Sequence, residues 1–157
     1  MDYFFIFSAK YLFVLLPIIL GIYFLRLPAG NKKNMAMFAL SALALTYIIG
    51  LISGYLYFDP RPFVVGNFTP FIPHASDNGF PSDHTLLVSA LAMIGLYWNR
   101  KLGILLWIFA IIVGIARVYV GVHHTVDIIG AMVIAVIATS LVFVVNKKFL
   151  KKSELIS

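Results

Sequence analysis

Three short segments of this 157-residue chain hold most of the side chains able to do acid–base or anion chemistry. They are Asp59-Pro60-Arg61-Pro62-Phe63, Phe80-Pro81-Ser82-Asp83-His84-Thr85 and Arg117-x5-His123-His124-x2-Asp127. Arg61 and Arg117 are permanent cations whose forked geometry suits phosphoryl oxygens. An arginine beside a long apolar run is costly and calls for a partner. Ser82 follows Pro81 at a predicted helix start, where free backbone N–H groups and the positive end of the helix dipole attract anions. A second helix start is predicted near His124. Asp127 lies four residues after His123 and three after His124, so in a helical turn either imidazole can be held by that carboxylate. A histidine held in this way has a fixed tautomer and an exposed basic nitrogen. Plainer readings exist for each piece: Arg61 as an interfacial arginine paired with Asp59, Pro81-Ser82-Asp83-His84 as a capped helix start, and His74 and Asp77 as solvated loop residues. The joint placement of the three segments favours chemistry.

The elements that must position them are membrane helices. Hydrophobic side chains make up 62% and charged ones 11% of the chain, with a mean hydropathy of +0.99, against roughly 45–50% and about 25% in soluble domains. Apolar runs at 11–25, 35–57, 85–98, 102–120 and 126–145 predict an all-α polytopic bundle of about five spans, with six possible, forming one integral domain over 1–157. The third run is short and needs a helix that begins near Ser82. Residues 3–9 are semi-apolar and are expected to form an interfacial helix or part of the first span. No cleavable signal peptide is expected. The segment 58–81 carries Pro60, Pro62, Pro70, Pro73 and Pro81 and cannot be one helix. A loop of that length is functional or mobile.

The net charge is +6, from 12 basic and 6 acidic residues. Arg26, Lys32, Lys33, Arg100, Lys101, Lys147, Lys148, Lys151 and Lys152 fall on one predicted side, which the positive-inside rule makes cytoplasmic, together with the C-terminus. All four histidines, both remaining arginines and the aspartates fall on the other, so the site is expected at the outer face of the cell membrane. A lipid-facing surface offers no basic groove to nucleic acid. Zero cysteines exclude disulfides, thiolate zinc sites and cysteine nucleophiles. There is no His-Glu-x-x-His, and the sole glutamate, Glu154, sits in the tail, so neither metal nor cofactor is expected. No obligatory protein partner is evident. Buried polar residues near helix breaks also mark transport paths, which leaves a transporter or channel as the rival class.

At these residues the chain resembles the type-2 phosphatidic acid phosphatase superfamily of membrane lipid phosphate phosphatases. That family's signature is Lys-x6-Arg-Pro, then Pro-Ser-Gly-His, then Ser-Arg-x5-His-x3-Asp. Here Ala116-Arg117-x5-His123-x3-Asp127 matches the third part, Pro81-Ser82-Asp83-His84 the second with aspartate for glycine, and Arg61-Pro62 the first, with Gly54 where the family has lysine. The resemblance implies that His123 is the nucleophile, forming a phosphohistidine, and that Asp127 orients it. His84 would protonate the leaving group and then activate water, while Arg61, Arg117 and Ser82, with Asp83 beside them, would line the phosphate site. The second motif and the short first one resemble the bacterial branch acting on undecaprenyl diphosphate. Lipid A 1-phosphate and phosphatidylglycerol phosphate are the alternatives.

Overall fold

The computed structural model describes residues 1–154, with side chains to 146. The lysines of the tail, Lys147, Lys148, Lys151 and Lys152, and the side chain of Glu154 lie outside the residues so described. The first helix runs from Asp2 to Arg26 and consists of α1 (Asp2–Phe7), a π-helical turn (Ser8–Leu12) and α2 (Phe13–Arg26). Residues 3–9 therefore continue the first span and form no separate interfacial helix. Next come α3 (Ala29–Leu56), a single turn α4 (Pro62–Val65), α5 (Asp83–Trp98), α6 (Arg100–Tyr119) and α7 (Thr125–Glu154).

Among the described residues, four helices are long and apolar enough to cross a membrane. The fifth long one, α5, has 16 residues and reaches only about 24 Å at 1.5 Å per residue. It begins with Ser82 as N-cap, as its short apolar run requires. Ten of its residues are buried, from Thr85 to Gly95, so it is the centre around which the others pack. They present stripes to it at helical spacing: Met35, Phe38, Ala42, Thr46 and Gly50 on α3, and Gly103, Leu106, Ala110, Val113 and Arg117 on α6. The opposite faces carry exposed Leu40, Ile48, Ile108, Ile115, Ile129 and Val133. In water such a surface would be a very large apolar patch. Facing hydrocarbon it is what a multi-pass membrane protein needs.

Lipid is as apolar as leucine, so close packing, aided by small residues, holds these helices together. A Cβ on Gly103 would collide with the backbone of Leu96, which lets α5 and α6 form a tight hairpin across Asn99. The Asn99 side chain accepts from the Leu102 N–H at 3.0 Å and caps α6. Beside this hairpin, Tyr97 stacks on Phe143 and donates to Ser140 Oγ at 2.9 Å, fastening α5 to α7. The chain reverses at each turn, so Arg26, Lys32, Lys33, Arg100 and Lys101 lie at one end of the bundle and all three motif segments at the other.

Candidate active site

The motif end of the bundle is assembled by two helix starts and one loop. The Ser82 N–H donates to the Asp127 carbonyl at 3.3 Å, tying the N-terminus of α5 to that of α7. Asp127, in the first turn of α7, accepts from the His124 N–H through Oδ2 at 2.9 Å, as a carboxylate capping its own helix. The same Oδ2 lies 3.1 Å from His123 Nδ1. Asp127 is fully buried, so helix capping fixes the carboxylate that meets His123.

Both arginines converge on the other ring nitrogen. Arg61 Nη1 is 3.0 Å and Arg117 Nη2 3.4 Å from His123 Nε2, and Arg61 Nη1 also lies 3.3 Å from Nδ1. A guanidinium can only donate and a carboxylate only accept, so Nε2, met by both arginines, is the acceptor and the ring proton resides on Nδ1, facing Asp127. His123 is thus neutral, with its Nε2 lone pair aimed between two cations. Its pKa lies well below the ordinary histidine value, chiefly because burial disfavours the cation, with Arg117 and Arg61 adding to the effect. The arginines are anchored too: Arg61 Nη1 donates to the Val122 carbonyl at 3.0 Å, and Arg117 Nη1 points to the Ala9 carbonyl at 3.5 Å, in the π-helical turn of the first span.

His124 is turned away from this centre. Its Nδ1 lies 2.9 Å from Asp59 Oδ2, so the adjacent histidines have separate carboxylates. The plainer reading of Arg61 as a partner of Asp59 does not hold. Arg61 instead donates from Nε and Nη2 to Asp77 Oδ1 at 3.1 and 2.9 Å. Arg117 Nη2 meets His74 Nε2 at 2.9 Å. His74 and Asp77, read from sequence as solvated loop residues, therefore sit on the two arginines. The only sequence signal for them was the length of the proline-rich loop itself.

Ser82 is fully buried and its hydroxyl accepts from Thr85 Oγ1 at 3.2 Å. His84, in the first turn of α5, is packed by the edge of Phe13, with ring centroids 4.6 Å apart, and Arg117 and His123 act on it through space. Asp83 is exposed and lines a groove of about 440 Å³ between α3 and α5, with Leu43, Tyr47, Leu51 and Leu86. It makes no hydrogen bond to either arginine. On the flank of the site, a cavity of about 330 Å³ is bordered by Phe68, Phe71, Tyr119, His123 and His124.

Gly54, at the position of the family lysine, has a structural cause. A Cβ there would come within 2.9 Å of the Phe80 carbonyl oxygen, and the Gly54 carbonyl accepts from Asn78 Nδ2 at 2.8 Å. The loop lies directly on this backbone. Among the described residues, Asp59, His124 and Asp127 form the one group able to hold a metal ion, with donor atoms within 4.8 Å of one another. Those atoms are already committed to the histidine contacts above, although Asp127 Oδ1 has no partner.

This fold is that of a class of multi-pass membrane proteins, and the chain belongs to the PAP2 superfamily, whose model matches residues 35–151. It is 45% identical over 103 residues to undecaprenyl-diphosphatase BcrC of Bacillus subtilis, covering 63% of this chain and 53% of that protein. The chain therefore spans about half the length of this relative. It is 33% identical over 138 residues to the bacitracin transport permease protein BcrC of Bacillus licheniformis, covering 87% and 68% respectively. The crystal structure of Aquifex aeolicus LpxE shares the fold, with a TM-score of 0.73 over 90% of this chain and 84% of that one, at 21% identity.

Proposed function

We propose that this chain, as one integral domain, is a membrane lipid phosphatase that releases the terminal phosphate of undecaprenyl diphosphate through a phosphohistidine. The observation that carries this reading is the polarised His123, with Nδ1 on Asp127 and Nε2 between Arg61 and Arg117. A terminal phosphoryl group drawn to the arginines meets the Nε2 lone pair. As the N–P bond forms and the bridging P–O bond breaks, positive charge grows on the imidazole and is stabilised by Asp127. The two arginines and the starts of α5 and α7 hold the equatorial oxygens, where charge accumulates. His84 gives a proton to the departing lipid phosphate, then takes one from the water that cleaves the N–P bond. Phosphate leaves and His123 returns to its neutral form.

Nothing in this scheme needs a metal, because two guanidinium groups offset the charge of the phosphoryl group. The relative named undecaprenyl-diphosphatase supports the substrate, and the apolar groove between α3 and α5 suits a long hydrocarbon tail. Lipid A 1-phosphate and phosphatidylglycerol phosphate are open to the same chemistry. We place the site at the outer face and the C-terminus in the cytoplasm, since the cationic turns lie at the opposite end of the bundle.

The test is phosphate release by the purified chain from those three lipids. Undecaprenyl diphosphate should be fastest, His123→Ala should abolish release without unfolding, vanadate should inhibit and EDTA should not. Rescue of an EDTA-treated sample by zinc would overturn the metal-free scheme. A transporter is the second reading, favoured by the name of one relative. It gains ground if the purified chain releases no phosphate from any lipid yet protects cells from bacitracin. A reporter fused to the C-terminus that reads external would invert the orientation.

A further inference from the structure

The loop between α3 and α5 brings two polar side chains, His74 and Asp77, to the site, and the scheme above uses neither. The flanks of this segment are fixed. On one side the Phe71 N–H donates to the Val120 carbonyl at 3.0 Å, and Ile72 is buried against Ala116, Val120 and Val122. On the other, Asn78 Oδ1 accepts from the N–H groups of Asp59 and Phe80 at 2.8 and 3.0 Å, and its Nδ2 donates to the carbonyls of Gly54 and Tyr57. Residues 73–77 form a short strap pinned at both ends.

The strap delivers His74 to a particular atom. Arg117 Nη2 is 2.9 Å from His74 Nε2 and 3.4 Å from His123 Nε2, so one guanidinium nitrogen bridges two imidazoles whose centroids are 6.1 Å apart. Since Arg117 only donates, His74 Nε2 accepts and its proton sits on Nδ1, 3.2 Å from the Ala75 carbonyl. A phosphoryl group at His123 takes over the Arg117 N–H and releases His74 Nε2. His74 is half-buried between exposed Pro73 and Ala75, so that nitrogen then borders the phosphoryl position where the strap meets solvent.

Building on the catalytic reading above, we propose that His74 is a specificity-determining residue that binds the second, non-transferred phosphate of a diphosphate substrate. A phosphomonoester has nothing to place there. In the structure His74 is held below its ordinary pKa, chiefly by burial, with the Ala75 carbonyl and Asp77 opposing Arg61 and Arg117. Those four groups face it, together with His123 and His84. A diphosphate neutralises both arginines, so the imidazole takes up one proton from solvent and donates Nε2–H to an oxygen of the second phosphate. No covalent bond changes at His74, and the proton returns to solvent when the lipid phosphate leaves.

The experiment compares kcat/KM for a polyprenyl diphosphate and its matching monophosphate, using the full chain in detergent. His74→Ala should lose about tenfold or more on the diphosphate and less than about threefold on the monophosphate, as expected for one lost charge-assisted hydrogen bond. His74→Gln, which keeps an amide donor, should recover part of the loss. His74→Leu serves if the alanine variant does not fold. Equal losses on both lipids overturn the proposal, because His74 then acts only by holding Arg117, and so do unchanged rates. A wild-type chain inactive on both lipids is a separate failure, which removes the catalytic reading and this proposal with it. Pyrophosphate should also raise the melting temperature of the wild-type chain more than orthophosphate does, and equal shifts would count against the subsite.

Discussion

Asp59 holds His124 at 2.9 Å while Asp127 holds His123 at 3.1 Å, so two neighbouring histidines are served by two carboxylates from opposite ends of the motif region. The side chain of His124 is 38% exposed and that of His123 only 3%. Only the second leaves the opposite ring nitrogen between two cations. His123→Gln should therefore abolish turnover. Asp127→Asn should lower kcat by about 10²–10⁴-fold through loss of the correct tautomer, and Asp59→Asn or His124→Gln by about tenfold or less, since they act through the α7 start. Steady-state phosphate release on purified variants checks this. If His124→Gln proved as damaging as His123→Gln, the assignment of roles would be wrong.

On the proposed scheme Asp77 is a competitor of the substrate for Arg61. Its carboxylate is 62% exposed, so the ion pair contributes only about 0–1 kcal/mol and a phosphoryl group can displace it. Asp77→Asn should leave the fold intact, lower KM and the inhibition constant for vanadate by about two- to fivefold, and leave kcat nearly unchanged. A rise in KM would mean that Asp77 positions Arg61 and does not shield it.

Stability should depend on pH in a definite direction. His123 and His74 both sit below the ordinary histidine value in the folded protein. An unfolded chain takes up protons on these residues near pH 6.5, at about the reference value, whereas the folded one resists. The folded state therefore has its full margin above that pH and loses it as the pH falls towards the depressed values. Thermal unfolding in detergent should show a lower melting temperature at pH 5 than at pH 7.5, with the difference reduced in His123→Gln. A melting temperature that rises on acidification would contradict the assignment of a neutral His123.

Restoring the family lysine at position 54 should not improve the enzyme. The Phe80 carbonyl, 2.9 Å from where a Cβ would stand, must shift along with the start of α5, so Gly54→Ala and Gly54→Lys should each cost about 1–3 kcal/mol of stability and lower activity. Unfolding and phosphate release measured together check this. A more active and equally stable Gly54→Lys variant would show that the missing cation, and not the packing, limits the site.

Much of this arrangement was legible in the sequence because the relevant physics is local. Hydropathy placed the long helices, and the short run at 85–98 correctly required a start at Ser82. The i,i+4 spacing of His123 and Asp127 anticipated their contact. What could not be read was any contact made by the loop 58–81, since a segment broken by prolines carries no periodicity to orient its side chains. His74 and Asp77 reach the arginines through the Asn78 amide and the buried Ile72, which are tertiary anchors. The length of the first helix was also obscured. Lys10 interrupts the apolar run, yet it is exposed and lies within a π-helical turn that continues the span to Asp2.

The shortness and burial of α5 separate two demands that a membrane enzyme usually meets with the same helices. Hydrophobic mismatch with the surrounding bilayer falls on the outer faces of the first helix and of α3, α6 and α7, which can tilt or be locally accommodated by lipid at modest cost. The helix that begins at Ser82 and carries His84 is largely sheltered from lipid by its neighbours. Its register against Asp127 is set by protein contacts, so the catalytic geometry is insulated from differences in membrane thickness.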